Sequence, residues 1–173
     1  MLALSGVAAA CGDDDSASTT TIESSGGSKA GSGSGSGGGA SSPDSATLAA
    51  IEERGAPTIA PVEGSVAELE TVDEVDGEGK EATPGSTVTA HYVGAVASTG
   101  EVFDSSWERG QPAVFPLDGV IAGWSEGIPG MKEGGRRTLV IPAALAYGDT
   151  PPPGSGIPAG ADLVFTVDLV SVN

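Results

Sequence analysis

The chain has 173 residues, enough for one domain with tails, and sets 24 Asp and Glu against seven Lys and Arg for a formal net charge of −17. That acidity disfavours nucleic acid as a partner, because a phosphate backbone needs a basic surface. The single histidine excludes a His-rich metal site, and no stretch after the start reaches the ~18 apolar residues of a membrane-spanning helix.

Residues 1–11, MLALSGVAAAC, are apolar and end in small residues before Cys11, after which GDDD turns polar. An apolar core followed by small residues marks the end of a secretory signal. The segment resembles the end of a bacterial lipoprotein signal peptide, whose cysteine carries the lipid, although the basic start is missing and the true start is expected upstream. The resemblance implies lipid attachment at Cys11 and a place on the outer face of the plasma membrane, or simple secretion. With no second cysteine there is no intrachain disulfide. Residues 12–47, with GGSKAGSGSGSGGGASS, hold too little apolar surface to offset chain entropy and are expected to be a disordered tether. A Gly/Ser coil of that length spans on the order of 30–35 Å root-mean-square. Residues 48–68 form a lead-in, extended around Pro57 and Pro61, with a weak helical turn at 48–54.

From residue 69 to 173 the pattern is that of a folded domain. LETVDEV at 69–75 alternates apolar and polar residues, as a half-buried strand does. In TVTAHYV at 87–93, Val88, Ala90 and Tyr92 face one side and Thr87, Thr89 and His91 the other. A turn at Thr99 and Gly100 leads to a strand near 101–104, and 113–117 (AVFPL) is a short extended piece. GVIAGWSEGIPGM at 119–131 has the apolar spacing of a short helix over about 120–127, yet glycine recurs at 119, 123, 127 and 130. Each interior glycine costs a helix about 1 kcal/mol relative to alanine. Such a helix is better understood as the floor of a pocket than as a beam. RRTLVIP at 136–142 and DLVFTVDLVSV at 162–172 complete about five strands. Consecutive strands with short connections favour an antiparallel sheet packed against the helix, an α+β arrangement.

HYVG at 91–94, VFDSS at 102–106, VIAGWSEGI at 120–128, MKEGGRRTLVIP at 131–142, AYGD at 146–149 and IPAGADLVFTVDLV at 157–170 occur in an ordered set. That set resembles the FKBP-type peptidyl-prolyl cis-trans isomerases over roughly residues 62–173, which implies a twisted antiparallel sheet wrapped around one short helix. The resemblance implies that the substrate proline lies on Trp124, beside Val120 at the helix start. It implies that Tyr92, Phe103, Ile157 and Phe165 line the remaining pocket. It assigns catalytic roles to Asp104, Tyr147 and the Ile121 N–H, the last two holding the carbonyls that flank the turning bond. Asp104 is expected to accept a hydrogen bond from Tyr92, and His91, on the opposite strand face, to be structural.

Turning an X–Pro bond must overcome a barrier of ~18–20 kcal/mol but breaks no bond, so no nucleophile, metal or cofactor is required. The expected partners are proline-containing polypeptides, with macrolides bound weakly and the chain monomeric. Two places depart from the family pattern. Ala113 stands where many relatives carry an aromatic wall, and Pro151, Pro152 and Pro153 fill a loop expected to overhang the pocket. The same fold also suits an extracytoplasmic chaperone or peptide-binding module with little turnover.

Overall fold

The computed structural model describes residues 45–173; Cys11, the apolar run before it and most of the expected tether lie outside the described residues. Six strands form one antiparallel sheet: β1 (Glu70–Val75), β2 (Thr87–Val96), β3 (Val102–Ser105), β4 (Ala113–Pro116), β5 (Arg136–Ile141) and β6 (Leu163–Val172). Helices α1 (Ser45–Arg54) and α2 (Ala122–Gly127) and a 3-10 turn at Ala143–Leu145 complete the described elements. The order is β1-β5-β6-β2-β3, and β4 also pairs with β2. β3 and β4 share one edge of β2: β4 lies along residues 87–90 and β3 along 93–95. The α+β arrangement is as expected, with six strands rather than about five. The difference is the stretch expected only to be extended at 113–117, which becomes a strand because it pairs with β2, Phe115 opposite Val88.

The two long central strands set the two faces of the sheet. Val88, Ala90 and Tyr92 of β2 share a core with Leu163, Phe165, Val167 and Leu169 of β6 and with Leu139 and Ile141 of β5. Trp124, Ile128 and Met131 close this core from the α2 side. Period-two alternation accounts for this face. It does not account for the other one, because every residue of β6 is buried, including Thr166 and Asp168.

The back face is covered by residues that precede β1. Ile51 of α1 is fully buried, and Arg54 Nη1 donates to Asp168 Oδ1 at 2.9 Å. Arg136 holds the same carboxylate from β5, Nε to Oδ1 and Nη2 to Oδ2, both at 2.8 Å, and also donates to the Gly55 carbonyl. Ile59, Val62 and Val66 pack on Ala97, Val140 and Val164, while Val62 N–H donates to the Ala97 carbonyl at 2.8 Å. Asp168 thus carries its buried charge between two guanidinium groups, and stripping one partner from such a group typically costs ~3–5 kcal/mol.

Three expectations are corrected here. The weak turn at 48–54 is a full helix from Ser45, beginning three residues inside the stretch assigned to the tether. The lead-in at 48–68 is part of the domain, because its apolar residues close the back of the sheet. Finally, β1 is not half-buried: all six of its residues are exposed. It is an edge strand, paired only with β5, and Leu69 just before it is the residue that packs on the core.

Candidate active site

The glycines of α2 have a steric cause. A Cβ on Gly123 would lie 2.7 Å from Ile141 Cδ1 and 2.9 Å from Cγ1, and one on Gly127 would lie 2.8 Å from Leu139 Cδ2. The helix therefore rests its backbone directly on β5, and this close approach holds Trp124 at the bottom of a cavity. Ile121 begins the helix in an extended conformation, and its carbonyl accepts from Trp124 N–H at 3.0 Å. Its own N–H donates to no partner among the described residues.

The cavity, of about 500 Å³, is lined by Tyr92, Phe103, Asp104, Val120, Ile121, Trp124, Tyr147 and Phe165, together with Phe115 and Gly119. Eight of the nine pocket residues expected from sequence are thereby brought together. Ile157 instead lines an adjoining recess of about 260 Å³ with Pro152 and Ser155, sharing Phe103, Asp104 and Tyr147 with the main cavity. Phe115 and Gly119 were not anticipated. The alternation in AVFPL puts 113 and 115 on one face, and the wall is Phe115, whereas Ala113 packs against the core without lining the cavity. The expected gap in the wall is therefore filled two residues further along.

Trp124 is 3 % exposed and is ringed by aromatic edges. Its ring centroid lies 4.9 Å from Phe115, 5.5 Å from Phe165 and 5.7 Å from Tyr92, at interplanar angles of 67°, 88° and 86°. Edge-on pairs of this kind are worth ~0.5–1.5 kcal/mol each beyond buried area, so the box is rigid as well as apolar. The Trp124 Nε1–H is buried without a partner among the described residues.

One wall is polar. The Tyr92 hydroxyl donates to Asp104 Oδ2, while Arg109, which sequence reasoning missed, donates to Asp104 Oδ1 at 2.5 Å and to the Tyr92 oxygen at 2.8 Å. Its guanidinium carbon stands 5.5 Å from the Tyr92 ring centre. Burial pushes the Asp104 carboxyl up, but the hydrogen bonds from Tyr92 and Arg109 and the Arg109 charge together hold it below its ordinary value. Burial and the hydrogen bond to Asp104 push the Tyr92 hydroxyl up to about 12. Asp104 is thus an anion already occupied by two donors rather than a base awaiting a proton. The Tyr147 hydroxyl has no hydrogen-bond partner among the described residues and is open to a ligand.

His91 lies behind this wall, on the back face. Its Nδ1 pairs with Ser106 Oγ at 3.0 Å and its ring stacks on Trp107 at 4.3 Å. Burial lowers its pKa against the opposing pull of Asp168 and Glu52. Among the described residues no cluster of three or more His, Cys, Asp or Glu could hold a metal ion, and no helix is long and apolar enough to cross a membrane.

Residues 78–170 match the family described as FKBP-type peptidyl-prolyl cis-trans isomerase. The chain belongs to this family. It is 57 % identical over 112 residues to a probable FK506-binding protein of Corynebacterium glutamicum, covering 64 % of this chain and 92 % of that one. It is 52 % identical over 108 residues to an FK506-binding protein of Streptomyces anulatus, covering 61 % and 87 %. Among solved structures it is similar to AtFKBP13, with a TM-score of 0.55 at 39 % identity over 66 % of this chain and all of that one. It is likewise similar to FkpA from Escherichia coli, with a TM-score of 0.56 at 36 % identity over 76 % and 59 %. The chain is accordingly an FKBP-type peptidyl-prolyl isomerase. α1 lies outside residues 78–170, the part matched by the family, and covers the sheet from behind.

Proposed function

We propose that the aromatic cavity turns X–Pro bonds by receiving the prolyl ring against Trp124. The observation that carries this reading is the combination of an apolar box with two unengaged donors in its lining, the Ile121 N–H and the Tyr147 O–H. A planar imide is more polar than a twisted one, so an apolar site binds the twisted state better and lowers the barrier by that difference. The two donors hold the carbonyls on either side while the bond rotates. Asp104, fixed by Tyr92 and Arg109, supplies a stationary negative edge against which the imide carbonyl carbon turns. The chain should accelerate cis–trans exchange of a Leu-Pro peptide in the presence of chelator. Asp104→Ala and Phe165→Ala should each lower turnover in a folded protein. Folded wild type with no acceleration would favour the chaperone reading instead, and two variants matching wild type would refute the site.

The same cavity suits a macrolide of the kind named for the relatives, with Phe115 as the wall that Ala113 was expected to lack. We further infer, from MLALSGVAAAC and the Gly/Ser-rich stretch after it, that Cys11 carries lipid and that the enzyme acts as a tethered monomer on exported polypeptides. Two acyl chains give stable anchoring where one does not, and a diacylated cysteine provides two. Expressed from its chromosomal start codon, the protein should sediment with membranes and Cys11→Ser should release it; soluble fractionation of both would remove the lipid anchor.

A further inference from the structure

Period-two alternation carries the cavity side of β2 through Ala90 and Tyr92 to Gly94, which is buried although it has no side chain to bury. Two rings fill its place. A Cβ on Gly94 would lie 2.6 Å from Phe165 Cε1, 3.0 Å from Phe165 Cδ1 and 2.9 Å from Phe103 Cζ. The rings meet edge to face, with centroids 5.6 Å apart at 84°. The sheet brings them there from both sides. Gly94 is the cross-strand partner of Phe165 on β6. On the β3 side the register shifts: Gly94 faces Asp104 and Ala95 faces Val102, so Phe103 is the extra residue of a β-bulge. A bulge re-aims a side chain, and this one lays Phe103 against the bare face of Gly94. Both phenylalanines line the cavity, and Phe165 abuts Trp124 at 5.5 Å.

We propose that Gly94 sets the width of the prolyl cavity: its bare backbone lets Phe103 and Phe165 lie back against β2 and leaves a gap wide enough for the five-membered ring of proline. The inference rests on the prolyl-binding reading of the cavity. Gly94 acts through the two rings and is therefore a positioning residue. A methyl at 94 would have to push them back to ordinary carbon–carbon contact at about 3.5–4.0 Å, a retreat of about 1 Å from the 2.6 Å and 2.9 Å approaches. Phe165 is hemmed in by Trp124 and Phe103, and the half-buried Phe103 borders the cavity, so the free space into which the rings retreat is the cavity itself. One methylene in an apolar pocket is worth about 10- to 200-fold in discrimination, so a gap narrowed on that scale changes which ring is accepted.

The test reads kcat/KM by exchange NMR on the full chain for Ala-Leu-Pro-Ala and for two analogues in which azetidine-2-carboxylate or pipecolate replaces the proline, imino acids with one ring carbon fewer and one more. In Gly94→Ala the proline-to-azetidine ratio should fall about tenfold from its wild-type value, since a narrowed cavity loses the larger ring first. Because it is a ratio within one sample, the folded fraction cancels from it. Gly100→Ala is a strained replacement away from the cavity, at φ 70° with its Cβ 3.1 Å from Pro61 Cγ, and should leave the ratio unchanged. Phe103→Leu keeps Gly94 and opens the same gap from its other side, so the pipecolate-to-proline ratio should rise about threefold or more; this variant decides the matter where Gly94→Ala does not fold. An unchanged proline-to-azetidine ratio in Gly94→Ala, an equal fall in Gly100→Ala, or an unchanged pipecolate-to-proline ratio in Phe103→Leu overturns the width-setting role. Folded wild type that turns over none of the three peptides overturns the prolyl-binding reading instead.

Discussion

Gly123→Ala is the sharpest test of why the floor of the site is built from a poor helix. In an isolated helix the change would gain about 1 kcal/mol. Here the new methyl would meet Ile141 Cδ1 at 2.7 Å and Cγ1 at 2.9 Å, and Ile141 is fully buried with no room to withdraw. Overpacking of this kind costs ~1–3 kcal/mol, so the clash should cancel the propensity gain or exceed it by up to about 2 kcal/mol. Ile141→Ala alone should cost ~2–5 kcal/mol through its cavity. In the double variant the Gly123→Ala methyl would enter that cavity, giving a favourable coupling of ~1–2 kcal/mol. Urea unfolding of the four proteins in the cycle measures all three quantities. Turnover should fall in Gly123→Ala, because a helix lifted from β5 carries Trp124 with it. A Gly123→Ala protein that keeps the full propensity gain of about 1 kcal/mol over wild type, or a cycle with no coupling, would refute the claim that close backbone approach places the tryptophan.

Other perturbations address the walls and the back face. Arg109→Ala removes both a hydrogen bond and a positive charge from Asp104, so the Asp104 carboxyl titration should move upward by NMR while the Tyr92 hydroxyl rises further. Since Asp104 is depressed when folded, the stability it contributes is present above the ordinary carboxylate range and is lost as pH falls through its folded value; Arg109→Ala should shift that loss to higher pH. His91 is held neutral by burial, so wild type should lose stability as pH falls below the unfolded value of 6.5, and His91→Phe should remove that part of the slope in unfolding curves taken across this range. Phe115→Ala removes a cavity wall, and forgoing ~1.5–3 kcal/mol of apolar contact should weaken FK506 binding about ten- to a hundredfold by calorimetric titration. Unchanged affinity would mean that Phe115 stacks on Trp124 without reaching the ligand.

What the sequence disclosed depends on whether the signal was local. Alternation in TVTAHYV and DLVFTVDLV placed the central strands and sorted Tyr92 from His91, because the core side of each strand repeats apolar residues at every second position although the other side is buried as well. Trp124, Phe165 and the rest of the box were legible through an ordered set of short motifs, not through periodicity, which would have left them as ordinary core. Arg109 was not legible: an arginine in WERGQ becomes part of the site only because β3 and the following loop bring it over Tyr92. The helix at Ser45–Arg54 had a faint signal, Leu48 and Ile51 at helical spacing with Gly55 just beyond Arg54, and Gly55 does adopt φ 78°. Its length is fixed by tertiary contacts, since Ile51 is fully buried and Arg54 finds partners 80 and 114 residues away. Ala113 was misjudged for the same reason. Which of two residues on one strand face meets the cavity is decided by how β4 seats on β2, and no local pattern records that.

The clasp across the back of the sheet also governs how the domain bears mechanical load. Traction applied to the chain ahead of Ser45 arrives on the face remote from Trp124. It is taken first by α1 and by the Arg54 grip on Asp168, then by the run in which Ile59, Val62 and Val66 adhere to the sheet. Only after those attachments peel does tension reach β1, an outer strand held by β5 alone. β2 and β6, which carry Tyr92 and Phe165 of the box, sit deeper in the load path and are each ten residues long. A leash pulled by a moving partner would strain a sacrificial strap while the aromatic cavity kept its shape.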